Sequence, residues 1–124
     1  MRQELLQRSF DHIMKQGKPS IDGDTCMYKS DKGASCAAAI FILEYKDTME
    51  GMSWNTLATR YRYELDSDAF KESFFVSTVL QRAHDIAASD NSNGFIERYK
   101  RELKTRIRVW NEENEDNIRL PEGF

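Results

Sequence analysis

The sequence has little proline, little glycine and no long apolar run. Two prolines and six glycines among 124 residues are too few for a disordered or loop-dominated chain. The longest apolar run, from Cys36 to Leu43, is ended by Glu44, whereas a membrane-spanning helix needs about 20 apolar residues. The opening residues MRQEL also lack the apolar stretch of a secretory signal. These absences predict an intracellular protein that does not enter a membrane.

Cysteine is scarce, and the common cofactor motifs are missing. Cys26 and Cys36 are the two cysteines, and two thiols are too few for a disulfide framework. Without a secretory signal, both are expected to be reduced. The sequence contains neither a GxxxxGK[ST] nor a GxGxxG phosphate loop, and no DxDxDG calcium loop. We therefore predict no cofactor.

The charges are distributed unevenly along the chain. The formal net charge is −3, which disfavours a dedicated nucleic-acid binder because such domains are usually basic throughout. Residues 97–108 nevertheless carry six basic and two acidic side chains, and residues 112–116 then carry four acidic ones. A basic helix with an acidic end is typical of an interaction surface, although a solvated helix face has the same pattern.

The length and the hydrophobic periodicity predict one mainly α domain over residues 1–124. The length is near the commonest domain size. Apolar residues recur at helical spacing from Leu5 to Met14, and Gly17 then ends the first helix. A second clear helix is predicted from about Phe95 to near Asn114, after a polar loop at residues 90–94. Its apolar stripe consists of Ile96, Tyr99, Leu103, Ile107 and Trp110.

The middle of the chain predicts shorter elements. Residues 25–37 have strand formers around a Ser-Asp-Lys-Gly turn, which predicts a small β-hairpin. The run CAAAIFILEY suits a buried strand or a buried helix, and its three alanines favour a helix. Ser53 is a candidate cap for a short helix, and Asp66 or Ser67 for a long helix from Asp68 to Ala88. The fold class is therefore mainly α (α+β), with four to five helices, one hairpin and a flexible tail at residues 118–124.

Several short motifs resemble a group of small bacteriophage and prophage proteins. They are Cys26-Met27-Tyr28, a turn at Gly33, Cys36-Ala37, Tyr45, Met49-Glu50-Gly51 and Leu80-Gln81-Arg82-Ala83-His84-Asp85. The resemblance covers about residues 1–88. The sequence departs from the group at Ala39, where the group usually has glycine, and in a shorter segment before Tyr45 that lacks a Pro-acidic pair. The resemblance implies a phage setting, hence the host cytoplasm, and supplies no activity.

Two sets of residues suggest metal or thiol chemistry, and we favour neither. The sequence contains four possible zinc ligands, which are Cys26, Cys36, His12 and His84. It has no CxxC pair and no paired histidines, however. Cys36, His84 and Asp85 contain the residue types of a nucleophile, a base and an orienting acid. However, Asp85 is expected on another helix face from its neighbour His84, and the apolar surroundings of Cys36 raise a thiol pKa. We therefore predict no metal site, no catalytic residue and no enzymatic activity.

The last helix is the strongest candidate for a binding surface. Arg101, Lys104 and Arg108 share one helix face, which suits an acidic protein surface or DNA phosphates. Aromatic residues nearby would add binding energy if exposed, because tryptophan, tyrosine and arginine dominate interface energetics. The predicted partner-binding residues are Arg98, Tyr99, Arg101, Lys104, Arg108 and Trp110, with Glu112, Glu113, Glu115 and Asp116 as the alternative face.

Together these patterns predict a non-enzymatic phage protein that binds a host protein and blocks its surface. The expected targets belong to antiviral defence or to the nucleic-acid machinery. A small DNA-binding or regulatory protein that uses the same helix is the alternative, and a cysteine-dependent enzyme is the third hypothesis. The apolar stripe of the last helix is also compatible with pairing between two copies of the chain.

Overall fold

A computed structural model describes residues 1–89 and 93–124. The predicted fold class is confirmed: the described residues are mainly helical and include one two-stranded antiparallel hairpin. The first three residues of the predicted loop at 90–94 lie outside the described residues. The helices are α1 (Arg2–Gln16), α2 (Trp54–Arg60), α3 (Ser67–Lys71), α4 (consecutive segments Ser73–Phe75, Val76–Gln81 and Arg82–Ala88) and α5 (Phe95–Asn114), with 3-10 turns at Ala39–Phe41, Asp47–Met49 and Arg62–Glu64.

The first helix ends where the sequence predicts. Gly17 adopts a left-handed conformation with a φ of 74°, and its N–H donates to the carbonyl of Ile13. Glycine is favoured at this position because it has no Cβ to clash with the backbone. One face of α1 is buried, and its apolar members are Leu5, Leu6, Phe10 and Ile13.

The hairpin lies slightly earlier than the predicted interval. Strand β1 (Ile21–Asp22) pairs with β2 (Thr25–Cys26) around a turn at Gly23. The predicted interval of 25–37 contains β2 and an isolated bridge between Lys29 and Ser35. Short strands of this kind are stable only when they pack on other elements.

The ambiguous apolar run is neither a helix nor a strand along most of its length. It contains a 3-10 turn at Ala39–Phe41, and its flanking backbone groups are hydrogen-bonded by distant side chains. The Ala37 carbonyl accepts from Ser9 Oγ at 2.7 Å, and the Ala38 amide donates to Gln81 Oε1 at 3.1 Å. These tertiary bonds satisfy buried backbone groups that a helix would have paired internally.

The long helix predicted from Asp68 to Ala88 is divided in two. Asp66 caps α3 by accepting from the amides of Asp68 and Ala69. The helix breaks at Glu72, and Ser73 Oγ donates to the Phe70 carbonyl at 2.5 Å. Serine hydroxyls compete in this way with regular backbone bonding. The central segment of α4, Val76–Gln81, is a π-helix.

Helix α5 has the bounds that the sequence predicts, and its apolar stripe faces the core. Tyr99, Leu103, Ile107 and Trp110 are buried, while Ile96 is partly buried against the same core. The stripe packs mainly on α4. It is therefore occupied within the chain, which removes it as the surface for pairing two copies.

The C-terminal segment lies along α1, where the sequence predicts a flexible tail. Gln3 exchanges two hydrogen bonds with the Arg119 backbone, both 2.9 Å long. One helical turn later, Gln7 donates to the Glu122 carbonyl and accepts from the Glu122 amide. The spacing of the two glutamines places both on one face of α1, so their amides pair with the segment as a neighbouring strand would. Phe124 then stacks on Phe10.

Candidate functional site

The solvent-facing side of α5 carries a short basic stripe, which we define as Arg101, Lys104 and Arg108. All three are exposed, and seven residues of helix separate the ends of the stripe by about 10 Å. Arg108 pairs with Glu112, one turn later, at 3.3 Å. Within the described part of the chain, Arg101 and Lys104 have no carboxylate within ion-pair distance. The stripe therefore presents two unpaired cations to solvent.

The acidic end of α5 is mostly exposed but not uniform. Glu112, Glu113 and Glu115 face solvent. Asp116 turns inward, where it accepts from Trp110 Nε1 at 3.0 Å and from Arg2 at 2.8 Å. The Trp110 hydrogen bond, with help from the Asn117 amide and Arg2, lowers the pKa of Asp116. Asp116 therefore ties α5 to α1 in the folded chain.

Besides Asp116, three more of the predicted partner-binding residues make contacts within the fold. Tyr99 has no exposed surface and Trp110 is 4% exposed, because both belong to the apolar stripe that faces α4. Burial raises the pKa of Tyr99. Arg98 is half-buried and donates to the backbone carbonyls of Ala87 and Asn93. Of the predicted partner-binding residues, those of the basic stripe and Glu112, Glu113 and Glu115 are exposed.

A cluster of chemically capable side chains lies at the junction of β2 and α4. The potential ligand atoms of Cys26, His84 and Asp85 all lie within 4.8 Å of one another. Cys26 rather than Cys36 is the thiol beside the histidine. The expectation that Asp85 cannot reach the neighbouring ring is wrong, because Asp85 Oδ1 lies 2.9 Å from His84 Nδ1. The imidazole is fully buried, while the Asp85 side chain is partly exposed.

The hydrogen bonds of this cluster favour a structural role. The Ser20 amide donates to His84 Nε2 at 3.1 Å, so the ring proton lies on Nδ1 and points to Asp85. Neither ring nitrogen then offers a lone pair to a thiol proton or to a metal ion. Burial, with a smaller contribution from Asp85, raises the pKa of Cys26 to about 11.

The other residues of the two hypothetical sets are placed elsewhere. Cys36 has no exposed surface, and burial raises its pKa to about 12. His12 Nε2 lies 3.0 Å from the Ser35 carbonyl. Among the described residues, the potential metal-ligand cluster contains neither Cys36 nor His12. The four proposed zinc ligands are therefore not brought together.

A groove that no sequence pattern indicates lies beside this cluster. It has a volume of about 770 Å³, within the 300–1,000 Å³ range of small-molecule sites. The groove lies between α4 and α5 and is closed by the segment after β2 and the start of α2. Its polar lining includes Ser77, Thr78, Gln81, Arg82, Asp85, Arg106 and Glu113, and its apolar lining includes Met27, Met52, Trp54, Ile86 and Val109.

Two hydrogen-bond donors of the groove lining are buried without a partner. They are Nε1 of Trp54 and Nε of Arg106, and no acceptor for either is found among residues 1–89 and 93–124. A buried donor without an acceptor costs about 1–3 kcal/mol. The sequence gives no sign of this, because Trp54 and Arg106 are brought together only by the packing of α2 and α5 around α4.

Few aromatic residues in the described part of the chain are exposed, and one of them, Phe74, packs against Trp110 of the apolar stripe with the ring centroids 5.6 Å apart. Tyr63 is 87% exposed and Phe74 is 59% exposed, while Trp54 and Phe75 are buried. Tyr63 contacts the Arg62 guanidinium through its ring face. The aromatic surplus of the sequence is thus largely used in the core.

Comparisons with protein-family models, with curated proteins and with solved structures found no match. Within the described residues, no helix is both long enough and apolar enough to cross a membrane.

Proposed function

We propose that this protein is a non-enzymatic binding protein that uses the basic stripe of α5 to occupy an acidic surface of a host protein. One observation carries the proposal: Arg101 and Lys104 are exposed and have no carboxylate partner within the described residues. The proposed mechanism is steric, since a bound protein of this size covers the surface that the host protein uses for its own partner.

The charge arrangement favours a role of the basic stripe in binding a protein over a role as a merely solvated helix face. Exposed ion pairs within a chain contribute about 0–1 kcal/mol, so stability alone gives little reason to gather cations here. Across an interface, complementary charge accelerates association and selects against wrong partners. The exposed Glu112 and Glu113 follow the stripe directly on the same helix. A partner surface with adjoining acidic and basic areas would therefore be oriented along α5.

The identity of the partner as a host protein follows from the resemblance to phage and prophage proteins over residues 1–88. A target in antiviral defence or nucleic-acid metabolism suits the net charge of −3, because proteins that bind nucleic acid present basic surfaces to acidic ligands. The acidic end of α5, Glu112, Glu113 and Glu115, then contacts a basic area of the target that adjoins the acidic area occupied by the basic stripe.

DNA binding is the second candidate, and the same stripe favours it. The three cations can contact neighbouring backbone phosphates, and neutralising about three phosphates predicts a slope of about −2.7 for the logarithm of the binding constant against the logarithm of the salt concentration. Complete loss of affinity on adding nuclease would support this candidate.

The test is an affinity capture from host lysate at moderate salt, with nuclease present. The variant carries Arg101→Glu, Lys104→Glu and Arg108→Glu. The matched control carries Lys15→Glu, Lys18→Glu and Lys32→Glu, which changes the net charge equally at exposed positions of α1 and the loops. The captured protein is then purified and its dissociation constant is measured directly.

The proposal predicts one purified host protein that binds the wild-type and control chains equally and the stripe variant at least tenfold more weakly. Equal weakening in both variants would attribute the effect to net charge and would overturn the assigned site. Binding that disappears with nuclease would replace the protein partner with nucleic acid.

A further inference from the structure

We infer that the groove between α4 and α5 binds a phosphorylated small molecule of nucleotide size. This inference does not depend on the basic stripe, because the groove and the stripe lie on different flanks of α5. Glu113 belongs both to the groove lining and to the acidic end of the helix. Arg106, Val109 and Glu113 line the groove, whereas Arg101 is not among its lining residues.

The hydrogen-bonding character of the lining carries the inference. The indole Nε1 of Trp54 and the Nε of Arg106 are buried donors without acceptors among the described residues. Trp54 is 2% exposed, so its donor is not simply solvated. Ser77 and Thr78 add two hydroxyl groups whose side chains make no hydrogen bond within residues 1–89 and 93–124. The groove thus offers hydrogen-bond donors from three helices, and two of these donors have no acceptor within the described residues.

The groove lining carries two arginines that can bind an anion, beside two carboxylates. Arg82 comes from α4 and Arg106 from α5, and neither forms an ion pair within the described part of the chain. Of the two carboxylates in the lining, Asp85 already accepts from His84 and Gln81. Glu113 is exposed near the end of α5. The two guanidinium groups are therefore the charged donors available to a ligand.

A phosphate ester fits these donors better than a carboxylate does. A phosphate group has three acceptor oxygens directed to different sides, whereas a carboxylate presents two oxygens in one plane. Donors from separate helices suit the first arrangement. The apolar lining formed by Met27, Met52 and Ile86 provides a surface for the remainder of the ligand.

The backbone of α4 is also unusual at this place. Ser77, Thr78 and Gln81 belong to its π-helical segment. Wide turns of this type occur frequently at functional sites, because they redirect side chains from the regular helix positions. Gln81 additionally links the Ala38 amide to Asp85, which fixes the wall beside the groove.

Calorimetric titration tests the inference with defined probes. The probes are AMP, GMP, CMP and UMP, with inorganic phosphate for the anion alone and citrate for a carboxylate. Trp54 fluorescence provides a second signal, and Trp110→Phe removes the other tryptophan from the emission. The variants are Arg106→Gln and the exposed Arg82→Gln, and the matched control is Arg101→Gln on the other flank of α5.

We expect at least one nucleotide to bind more tightly than inorganic phosphate, with a change in Trp54 emission. Arg106→Gln and Arg82→Gln should each weaken binding at least fivefold, while Arg101→Gln changes it less than twofold. Because Arg82 is exposed, its variant remains informative even if Arg106→Gln destabilises the fold.

Three outcomes would overturn the inference: no binding of any phosphate probe up to millimolar concentration, binding of citrate alone, or equal weakening by Arg101→Gln. The charge-reversed stripe variant, Arg101→Glu with Lys104→Glu and Arg108→Glu, separates the two proposals. It should lose the host protein and retain the nucleotide.

Discussion

The backbone amide of Ser20 donates a hydrogen bond to Nε2 of His84, which lies 3.1 Å away and 64 positions later in the sequence. This bond joins the loop before the hairpin to the middle of α4. Both residues are fully buried, so neither group exchanges its partner for water. The same bond places the ring proton on Nδ1, which donates a hydrogen bond to Asp85. Both ring nitrogens are therefore occupied by hydrogen bonds, which gives the cluster of Cys26, His84 and Asp85 a structural role.

His84→Phe should lower the free energy of unfolding by about 2–3 kcal/mol, because it leaves the buried Ser20 amide without an acceptor. The substitution keeps an aromatic ring for the edge contact with Phe95, so lost packing contributes little. Urea denaturation followed by circular dichroism measures the change. His12→Phe is the control, since His12 is only partly buried. A His84→Phe chain as stable as the wild type would contradict the assigned role of this bond.

The two thiols should react slowly in the folded protein. With a pKa of about 11 for Cys26, roughly one thiol in ten thousand is ionised at pH 7. Its reaction with a disulfide reagent should be about tenfold slower than that of an unfolded cysteine, because the smaller thiolate fraction is partly offset by the greater nucleophilicity of a more basic thiolate. The reaction should accelerate as the pH rises towards 11. Cys36, fully buried with a pKa of about 12, should react only on unfolding.

Cys26→Ser and Cys36→Ser assign the two phases of this labelling reaction. Fast labelling of Cys26 at pH 7 would show a stabilised thiolate and would reopen the hypothesis of a cysteine-dependent enzyme.

Gln3→Ala together with Gln7→Ala should release the C-terminal segment from α1. The four hydrogen bonds to Arg119 and Glu122 are then lost, and we expect the amides of these two residues to exchange hydrogen about tenfold faster or more. Hydrogen exchange followed by mass spectrometry measures this. Lys15→Ala, at an exposed position of the same helix, should leave the exchange unchanged. Unaltered exchange in the double variant would mean that other contacts hold the segment.

Asp116→Ala should destabilise the protein by about 1–2 kcal/mol at pH 7, because it removes the acceptor of Trp110 Nε1 and the ion pair with Arg2. The pKa of Asp116 is lowered from 3.8 in the folded state. Its ionised form therefore stabilises the fold fully above about pH 4, and this contribution is lost as the pH falls through the folded-state pKa.

Urea titrations at pH 7, 5 and 3 check this dependence. The difference between wild type and Asp116→Ala should be equal at pH 7 and 5 and smaller at pH 3, whereas the exposed Glu44→Ala gives the background change. A difference that grows at pH 3 has the opposite sign and excludes the assigned linkage.

Glu115→Gly should stabilise the protein by about 0.5–1 kcal/mol. Glu115 ends α5 in a left-handed conformation with a φ of 49°, which costs a residue with a Cβ about 1–2 kcal/mol. Glycine removes this cost, but part of the gain in stability is lost because glycine increases the conformational entropy of the unfolded chain. A thermal melt measures the change, and Glu115→Ala should bring no comparable gain. If α5 continues to bind the host protein, the variant also shows that Glu115 makes no essential contact.

The elements whose signals are local could be predicted from the sequence. Helices α1 and α5 were predicted correctly, because apolar periodicity and the stop at Gly17 act within one or two turns. The caps at Ser53 and Asp66 were recognised for the same reason. The exposure of Arg101, Lys104 and Arg108 also follows from local spacing, since the opposite face of the helix carries the apolar stripe.

Tertiary structure decided everything that depends on residues far apart in the sequence. The apolar run after Cys36 does not form a regular helix, because the side chains of Ser9 and Gln81 hydrogen-bond to its buried backbone groups. The C-terminal segment is ordered because Gln3 and Gln7 pair with its backbone. Cys26 rather than Cys36 lies beside His84, and Trp54 and Arg106 line the same groove. These distances depend on the packing of α2, α4 and α5, which local propensity does not determine.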